Sequence, residues 1–587
     1  MIKNLLILLT SVLLLSCTET KIQTPPNVVL ILTDDQGIGD LGCHGNPWLK
    51  TPHIDAFYDE AVRMTDFHVS PLCTPTRAAV MTGQYPINNG AWATFKGRDA
   101  LAENCLTMAD IFKQNGYKTA LFGKWHLGDN YPTRPTDCGF DTAIHHLAGG
   151  VGELSDYWGN SYFDDVYYVN NEPRQFEGYC TDIWFNETMK FIDKNQDKPF
   201  FIYLPTNAPH DPLIVAEKYA VPYKHLEGVI DANLYGMIAN IDENFGKFDQ
   251  FLKKKDLAEN TILIYMSDNG TRYGYNGKLG YNKGYRGIKG SKHEGGHIVP
   301  FFIRWPNGKI QGGKDVGELA AHVDLIPTLA GLCDLKIPEE VRLDGVDFSP
   351  LLTDSNKKLP NRSVFVHHRQ DWRQPKDVDE TCVLKGPWRL VNGTKLYDII
   401  KDPKQKNNVA QYYPEVVRQL LKDNASFLKV SKTYPEYKEL PVQIVGNDAQ
   451  TEIKLTIQHA IGEDGGIWKC EQVAAGMKNK NNTHVLKIEE DGEYIISCCR
   501  WPKECPGPVA GIPDVNPKNR FDYEAIHANK VRIKIAEQVF EKEIGKEDEE
   551  VIFKVSLKKG KTMLTNDFVE GEESYGVYYT YVRKSSN

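Results

Sequence analysis

Residues 27–37 read N-V-V-L-I-L-T-D-D-Q-G, and the rest of the chain is interpreted outward from them. The unbroken apolar, β-branched run over 27–32 is the pattern of a strand buried on both faces of a parallel sheet, because a strand with one wet face would alternate. It stops at two adjacent carboxylates, Asp34 and Asp35. Open α/β sheets hold ligands at such strand ends, and paired buried carboxylates are costly unless a cation lies between them. Taken alone, Asp-Asp-x-Gly also reads as a turn.

Three further runs end in the same way. Residues 118–122 (K-T-A-L-F) feed G-K-W-H-L-G at 123–128, residues 199–204 (P-F-F-I-Y-L) feed P-T-N-A-P-H ending at His210, and residues 261–266 (T-I-L-I-Y-M) feed Ser267-Asp268-Asn269-Gly270. Four strands in one sheet would aim these residues at one rim. Segments of helical period at 106–115 and 235–252 lie between them, which predicts a doubly wound α/β sheet.

Residues 70–86, S-P-L-C-T-P-T-R-A-A-V-M-T-G-Q-Y-P, hold the most reactive candidate. Pro75 suits the first position of a helix, Ala78 to Met81 continue it and Gly83 stops it. Cys73 then sits at a helix N-terminus, where unpaired N–H groups and the dipole favour an anion, with Arg77 one turn along. A phosphate, a sulfate or a thiolate fits there. The competing interpretation is a small buried hydrophobe.

Cys73-x-Pro75-x-Arg77 followed by Thr82-Gly83 resembles the signature of the type I sulfatases of the alkaline-phosphatase-like superfamily, and the resemblance runs over about 27–411. It implies that a formylglycine-generating enzyme converts Cys73 to formylglycine (3-oxoalanine), the nucleophile. It further implies that Asp34, Asp35, Asp268 and Asn269, with residue 73, hold calcium or, alternatively, magnesium. Lys124 and His126 fall on the family's G-K-W-H-L-G, and His210 on its histidine after the third strand. Residues 287–300, G-I-K-G-S-K-H-E-G-G-H-I-V-P, place the sulfate-gripping lysine at Lys289, with Lys292 a competing candidate. Ile298 departs from the arginine of many relatives. The implied roles are charge balance by Lys124, Lys289 and Arg77, protonation of the leaving oxygen by His210, and proton abstraction by His126. A phosphonate-hydrolase relative and a non-catalytic glycan-binding protein are the rivals; the intact G-K-W-H-L-G block and the full set of catalytic residues argue against them.

The implied fold is a large mixed, mostly parallel sheet flanked by helices, followed by a small C-terminal antiparallel sheet; His322 to Leu329, Asp344 to Asp347 and Leu396 to Asp398 resemble its closing elements. From about Tyr434 short alternating runs separated by Gly, Asp, Asn and Pro predict an appended β-sandwich, either a spacer or a carbohydrate binder. The expected organisation is a signal peptide at 1–16, a lipidated tether at 17–26, a catalytic core at 27–335, its C-terminal subdomain at 336–433 and the sandwich at 434–587.

The first 17 residues, M-I-K-N-L-L-I-L-L-T-S-V-L-L-L-S-C, have a basic start, a short apolar run and a small residue before Cys17. Leu14-Leu15-Ser16-Cys17 resembles a bacterial lipobox, which implies acylation of Cys17 and anchoring to a periplasmic or outer-membrane surface; a plain signal peptide is the alternative. Twelve cysteines in an exported chain permit disulfides, with a local bridge plausible among Cys470, Cys498, Cys499 and Cys505. A net charge of −9 excludes nucleic acid and long-range attraction of polyanions. Nearby cations (Arg272, Lys283, Arg286, Arg369, Arg373) beside Trp158 and Trp372 would have to hold the substrate. His367, His368, Arg369, Trp372 and Arg373 form a loop-like stretch that lines a sugar subsite or is simply solvated. The expected substrate is a sulfated polysaccharide or oligosaccharide, with algal polymers such as ulvan, carrageenan or fucoidan favoured over glycosaminoglycans.

Overall fold

The structure is a computed structural model that describes residues 24–354, 356–375, 378–514 and 521–585. The expected signal segment, Cys17 and residues 18–23 of the tether lie outside the described residues. Among those described, no helix is long and apolar enough to cross a membrane.

The four apolar runs form strands β1 (Asn27–Thr33), β2 (Lys118–Lys124), β3 (Phe200–Pro205) and β4 (Thr261–Ser267). They are neighbours in the order β4-β1-β3-β2 within a ten-stranded sheet, and each pairing among them is parallel. Their C-terminal ends therefore share one rim. The alternation hidden in the apolar runs is between two cores: Val28, Leu30 and Leu32 pack on one face, Val29 and Ile31 on the other.

Helix α1 (Cys73–Thr82) adds Ala78, Val80 and Met81 to the first core. Helices α2 (Cys180–Lys194) and α3 (Ala232–Lys254) add Trp184, Phe185, Ile241 and Phe245 to the second. Both faces are thus covered, as a doubly wound sheet requires. The edges are mixed: Phe301–Arg304 runs antiparallel to β4, and an antiparallel hairpin closes the far side.

Next comes a four-stranded antiparallel sheet, from Val364–His367 to Lys395–Asp398, packed against helix Pro414–Ser431 through Phe365, Leu390 and Leu420. His367, expected in a loop, is the last residue of a strand and pairs with Thr381.

From Gln443 onward a six-stranded and a four-stranded sheet face each other across one apolar core that includes Leu486, Ile533, Leu564, Ile496 and Phe553. Strand Gln538–Glu543 escaped the sequence reading because it is almost entirely exposed and carries no apolar alternation. The eleven described cysteines are free thiols. The expected local bridge does not form, and Cys470, Cys498, Cys499 and Cys505 instead fill this core. Leu154 and Trp158, from the α/β unit, belong to the same cluster.

Candidate active site

The rim is assembled by the register of the central strands. Thr33 pairs with Ser267, so Asp34 and Asp268 each step off the sheet at the same level, and the Asp35 N–H donates to Asp268 Oδ1 at 3.1 Å. Gly123 is required next door: its φ is +128°, and a Cβ there would lie 1.9 Å from the Pro205 carbonyl oxygen. That close approach seats Lys124, whose Nζ lies 2.6 Å from Asp34 Oδ2. Asp35 and His126 both hold left-handed backbone, φ 64° and 57°, the strain that clusters at functional sites.

Helix α1 presents Cys73 as its first residue; Pro75 is third, a correction to the expected first position. No side chain caps this end, since Leu72 occupies the capping position, and Gly83 closes the other end in left-handed conformation at φ 67°. Cys73 lines a cleft of about 1440 Å³ together with His126, His210 and Lys289. Burial raises the Cys73 thiol pKa, although Lys124 and Lys289 oppose the shift.

Arg77 is wholly buried and bonds Asp268 Oδ2 through Nη2 at 2.7 Å and the Lys124 carbonyl through Nη1 at 3.0 Å. Lys289 Nζ lies 2.6 Å from Asp35 Oδ1, and Asn269 Nδ2 donates to the same oxygen at 2.7 Å. Burial would raise Asp35, but the Lys289 ammonium, helped by the Asn269 hydrogen bond, outweighs it and holds the carboxyl below the usual range. Lys292, the rival, instead bonds the Asp379 carbonyl at 3.0 Å.

Both histidines are neutral, because burial, aided by Lys124 at His126 and by Lys289 at His210, holds each well below the ordinary histidine range. His210 Nδ1 lies 2.6 Å from the Asp211 carbonyl, so it carries the proton and leaves Nε2 facing Asp35 Oδ2 at 3.8 Å. His126 Nε2 lies 3.4 Å from the Thr94 carbonyl, and its Nδ1 is buried without a partner.

The residues present fit a hard divalent cation. Asp34 Oδ1, Asp35 Oδ2 and Asn269 Oδ1 are buried oxygens with no hydrogen-bond donor, which is costly unless a cation takes them. Asp34 and Asp35 also cluster with His210 at metal-ligand spacing, a neighbour not anticipated for the ion. Asp268, by contrast, is already committed to Arg77. Three carboxylates against Arg77, Lys124 and Lys289 make the rim neutral, so a divalent ion would leave a surplus positive charge for an anionic substrate.

Several predicted substrate contacts lie elsewhere. Arg369 is 7% exposed, pairs with Glu380 and donates to the Arg373 carbonyl at 2.6 Å. Arg373 pairs with Asp371 at 2.8 Å and Glu463 at 3.2 Å, outside the cleft. Arg286 bonds Tyr397 and the Gln405 carbonyl, and Trp158 is buried against Trp501 at 5.6 Å. His367, His368, Trp372 and Lys283 also stand off the wall. From that loop Gln370 reaches the cleft, and Arg272 does so paired with Asp211. The sequence reading missed Phe95, Glu153, Gln458, Trp468 and Lys469, which meet there from distant segments with no shared motif.

A cleft that gathers cations and carboxylates around one helix-borne cysteine suits an anionic ester, and the match to known families makes the class the sulfuric ester hydrolases. The chain belongs to the sulfatase family: residues 26–335 match the family described as Sulfatase, and residues 289–429 match N-sulphoglucosamine sulphohydrolase, C-terminal. Members of this family generally use a formylglycine and a divalent metal. The chain is 29% identical to an N-acetylgalactosamine-6-O-sulfatase of Bacteroides thetaiotaomicron, covering 71% of this chain and 98% of that one. It is 29% identical to arylsulfatase A of Homo sapiens, over 78% and 95% respectively. A solved structure of Ps i-CgsB in complex with k-i-k-neocarrahexaose superposes with a TM-score of 0.63 at 26% identity, covering 70% of this chain and 94% of that one.

Proposed function

We propose that this sulfatase removes sulfate from a sulfated polysaccharide or oligosaccharide, using a formylglycine made from Cys73 and a calcium ion. The observation that carries the reading is the set of three donorless buried oxygens on Asp34, Asp35 and Asn269, on a rim that Lys289 joins through Asp35 Oδ1. Oxygen-only donors of this kind suit calcium. The modified residue and the ion would supply the activated nucleophile and the Lewis acid.

The chain's own groups supply the rest. Lys124, Lys289 and the uncapped start of α1 surround the position of the sulfuryl group and stabilise charge that spreads over its oxygens. Arg77 acts behind them by fixing Asp268 and the Lys124 backbone. His210 Nε2 is unprotonated while Nδ1 donates to the Asp211 carbonyl, so it takes up a proton from solvent in the substrate complex before handing it to the departing sugar oxygen, and His126 Nδ1, buried and unpartnered, is the atom that accepts one when sulfate is expelled.

A cleft of about 1440 Å³ exceeds the roughly 300–1,000 Å³ of sites that swallow one small ligand, which favours an oligomeric substrate. The likeness to a carrageenan-oligosaccharide complex and to a bacterial amino-sugar sulfatase supports a glycan. Export and acylation at Cys17 remain part of this reading, on the strength of the Leu14-Leu15-Ser16-Cys17 motif. Incubating the matured protein with a panel of sulfated oligosaccharides and following free sulfate tests the function. Release from none of them, with Cys73 fully converted, would sink it.

A further inference from the structure

The two-sheet unit that begins at Gln443 reaches into the cleft, to which it contributes Gln458, Trp468, Lys469 and Phe521. The segment bearing Trp468 is fastened to the α/β unit: the Leu154 N–H donates to the Trp468 carbonyl at 2.8 Å, and Glu153 and Lys469 form an isolated β-bridge. Gln458 donates to Glu153 Oε2 at 2.8 Å, and the Tyr579 hydroxyl donates to the Leu154 carbonyl at 2.9 Å. Trp468 is therefore held at a fixed place on the wall rather than on a free arm. Its side chain stays open, with 38% of the residue exposed, and it stacks with Phe95 of the α/β unit at 6.2 Å between centroids and 26° between planes.

Two aromatic rings from two different units thus meet on the cleft wall, where the C–H face of a sugar ring stacks readily against exposed aromatic surface. Lys469 follows in sequence and also lines the wall, with Glu471 as a loose partner at 3.5 Å. An apolar platform beside a weakly paired ammonium suits a ring that carries its own anion.

We propose that Trp468, Phe95 and Lys469 form a subsite for an anionic sugar residue flanking the one that loses its sulfate, so that the appended unit sets specificity for oligosaccharide chains. The proposal rests on the glycan-sulfatase reading above. The test uses the full chain and purified hexasaccharides of carrageenan, fucoidan, ulvan and chondroitin sulfate, with 4-nitrophenyl sulfate as a ring that has no neighbours. Trp468→Ala is expected to raise KM for the accepted hexasaccharide roughly tenfold with little change in kcat, and to lower the kcat/KM ratio of hexasaccharide to aryl sulfate by the same factor. Trp468→Phe recovers most of the loss, and the penalty of Lys469→Ala shrinks at high salt. Equal loss on both substrates, or no loss on either, overturns the subsite.

Calorimetric binding of the same hexasaccharides to protein retaining the Cys73 thiol separates the two readings. Binding that depends on Trp468, with no sulfate released by matured protein whose residue 73 is fully converted, leaves the subsite standing and sinks the hydrolase assignment. A wild-type protein that neither binds nor turns over any hexasaccharide overturns the subsite.

Discussion

Arg77 donates two hydrogen bonds to Asp268 Oδ2, at 3.1 Å from Nε and 2.7 Å from Nη2, and so ties the helix that begins with Cys73 to the end of β4. Both side chains are fully buried. Removing one partner of such a pair leaves an uncompensated charge and costs about 3–5 kcal/mol. Arg77→Met is therefore expected to lower the urea midpoint strongly and to abolish turnover. A wild-type midpoint would show that this pair does not hold the helix in place.

Protein co-expressed with a formylglycine-generating enzyme should carry the aldehyde at position 73, detected by peptide mass spectrometry. Cys73→Ala should lose all turnover while keeping its far-UV circular dichroism, because the side chain sits at a helix start and fills little volume. Full activity from protein whose residue 73 is entirely thiol would end the formylglycine reading.

Chelation should silence the enzyme, and added calcium should restore activity and raise the melting temperature, since an ion that binds only the folded state stabilises it by mass action. Asp35→Asn and Asn269→Ala should each lose bound calcium as measured by elemental analysis. Zinc or iron in stoichiometric amount would mean that the donor set has been misread.

His459 lies between Asp99 and Asp129 where the appended unit meets the α/β unit, and its Nε2 is 3.4 Å from Asp129 Oδ2. Burial opposes its charge, but Asp99 and then Asp129 win and push it up to about 10. His126, His484 and Lys454 are other titratable groups nearby. A folded pKa above the unfolded value of about 6.5 gives stability that is full below pH 6.5 and lost as pH rises through about 10. His459→Gln should flatten the fall of melting temperature across that window. An unchanged pH profile would remove His459 from the account.

Arg369→Ala should destabilise the protein by leaving Glu380 without its buried partner, and it should leave KM for sulfated oligosaccharide within twofold. A large KM effect in a variant of wild-type stability would return this loop to the substrate.

The rim was legible because strand ends are local. The run at 27–32 announces a doubly buried strand; Lys124 ends its strand, and Asp34, His210 and Asp268 follow theirs within a few residues. Lys289 was legible only through the family's glycine-rich block, since no strand precedes it. Of the substrate wall, Arg272 was legible and most of the rest was not. Arg369 and Trp158 looked like ligand residues because a cation or an indole in a polar stretch does not reveal whether it faces Glu380, another indole or solvent. Trp468 gave no signal either: its partner Phe95 is hundreds of residues away, and only the docking of two units brings the rings together.

That docking also limits how the chain can be divided. Leu154 and Trp158 are buried in the appended unit's interior, while Trp468 and Lys469 face the catalytic cavity. A truncation at the end of the family match would uncover apolar side chains meant for another core and would open one side of the reaction chamber to bulk water. Grafting this accessory unit onto a different sulfatase would fail unless the loop around Leu154 travelled with it. Evolutionary shuffling and protein engineering must therefore treat the two parts as a single inheritable piece.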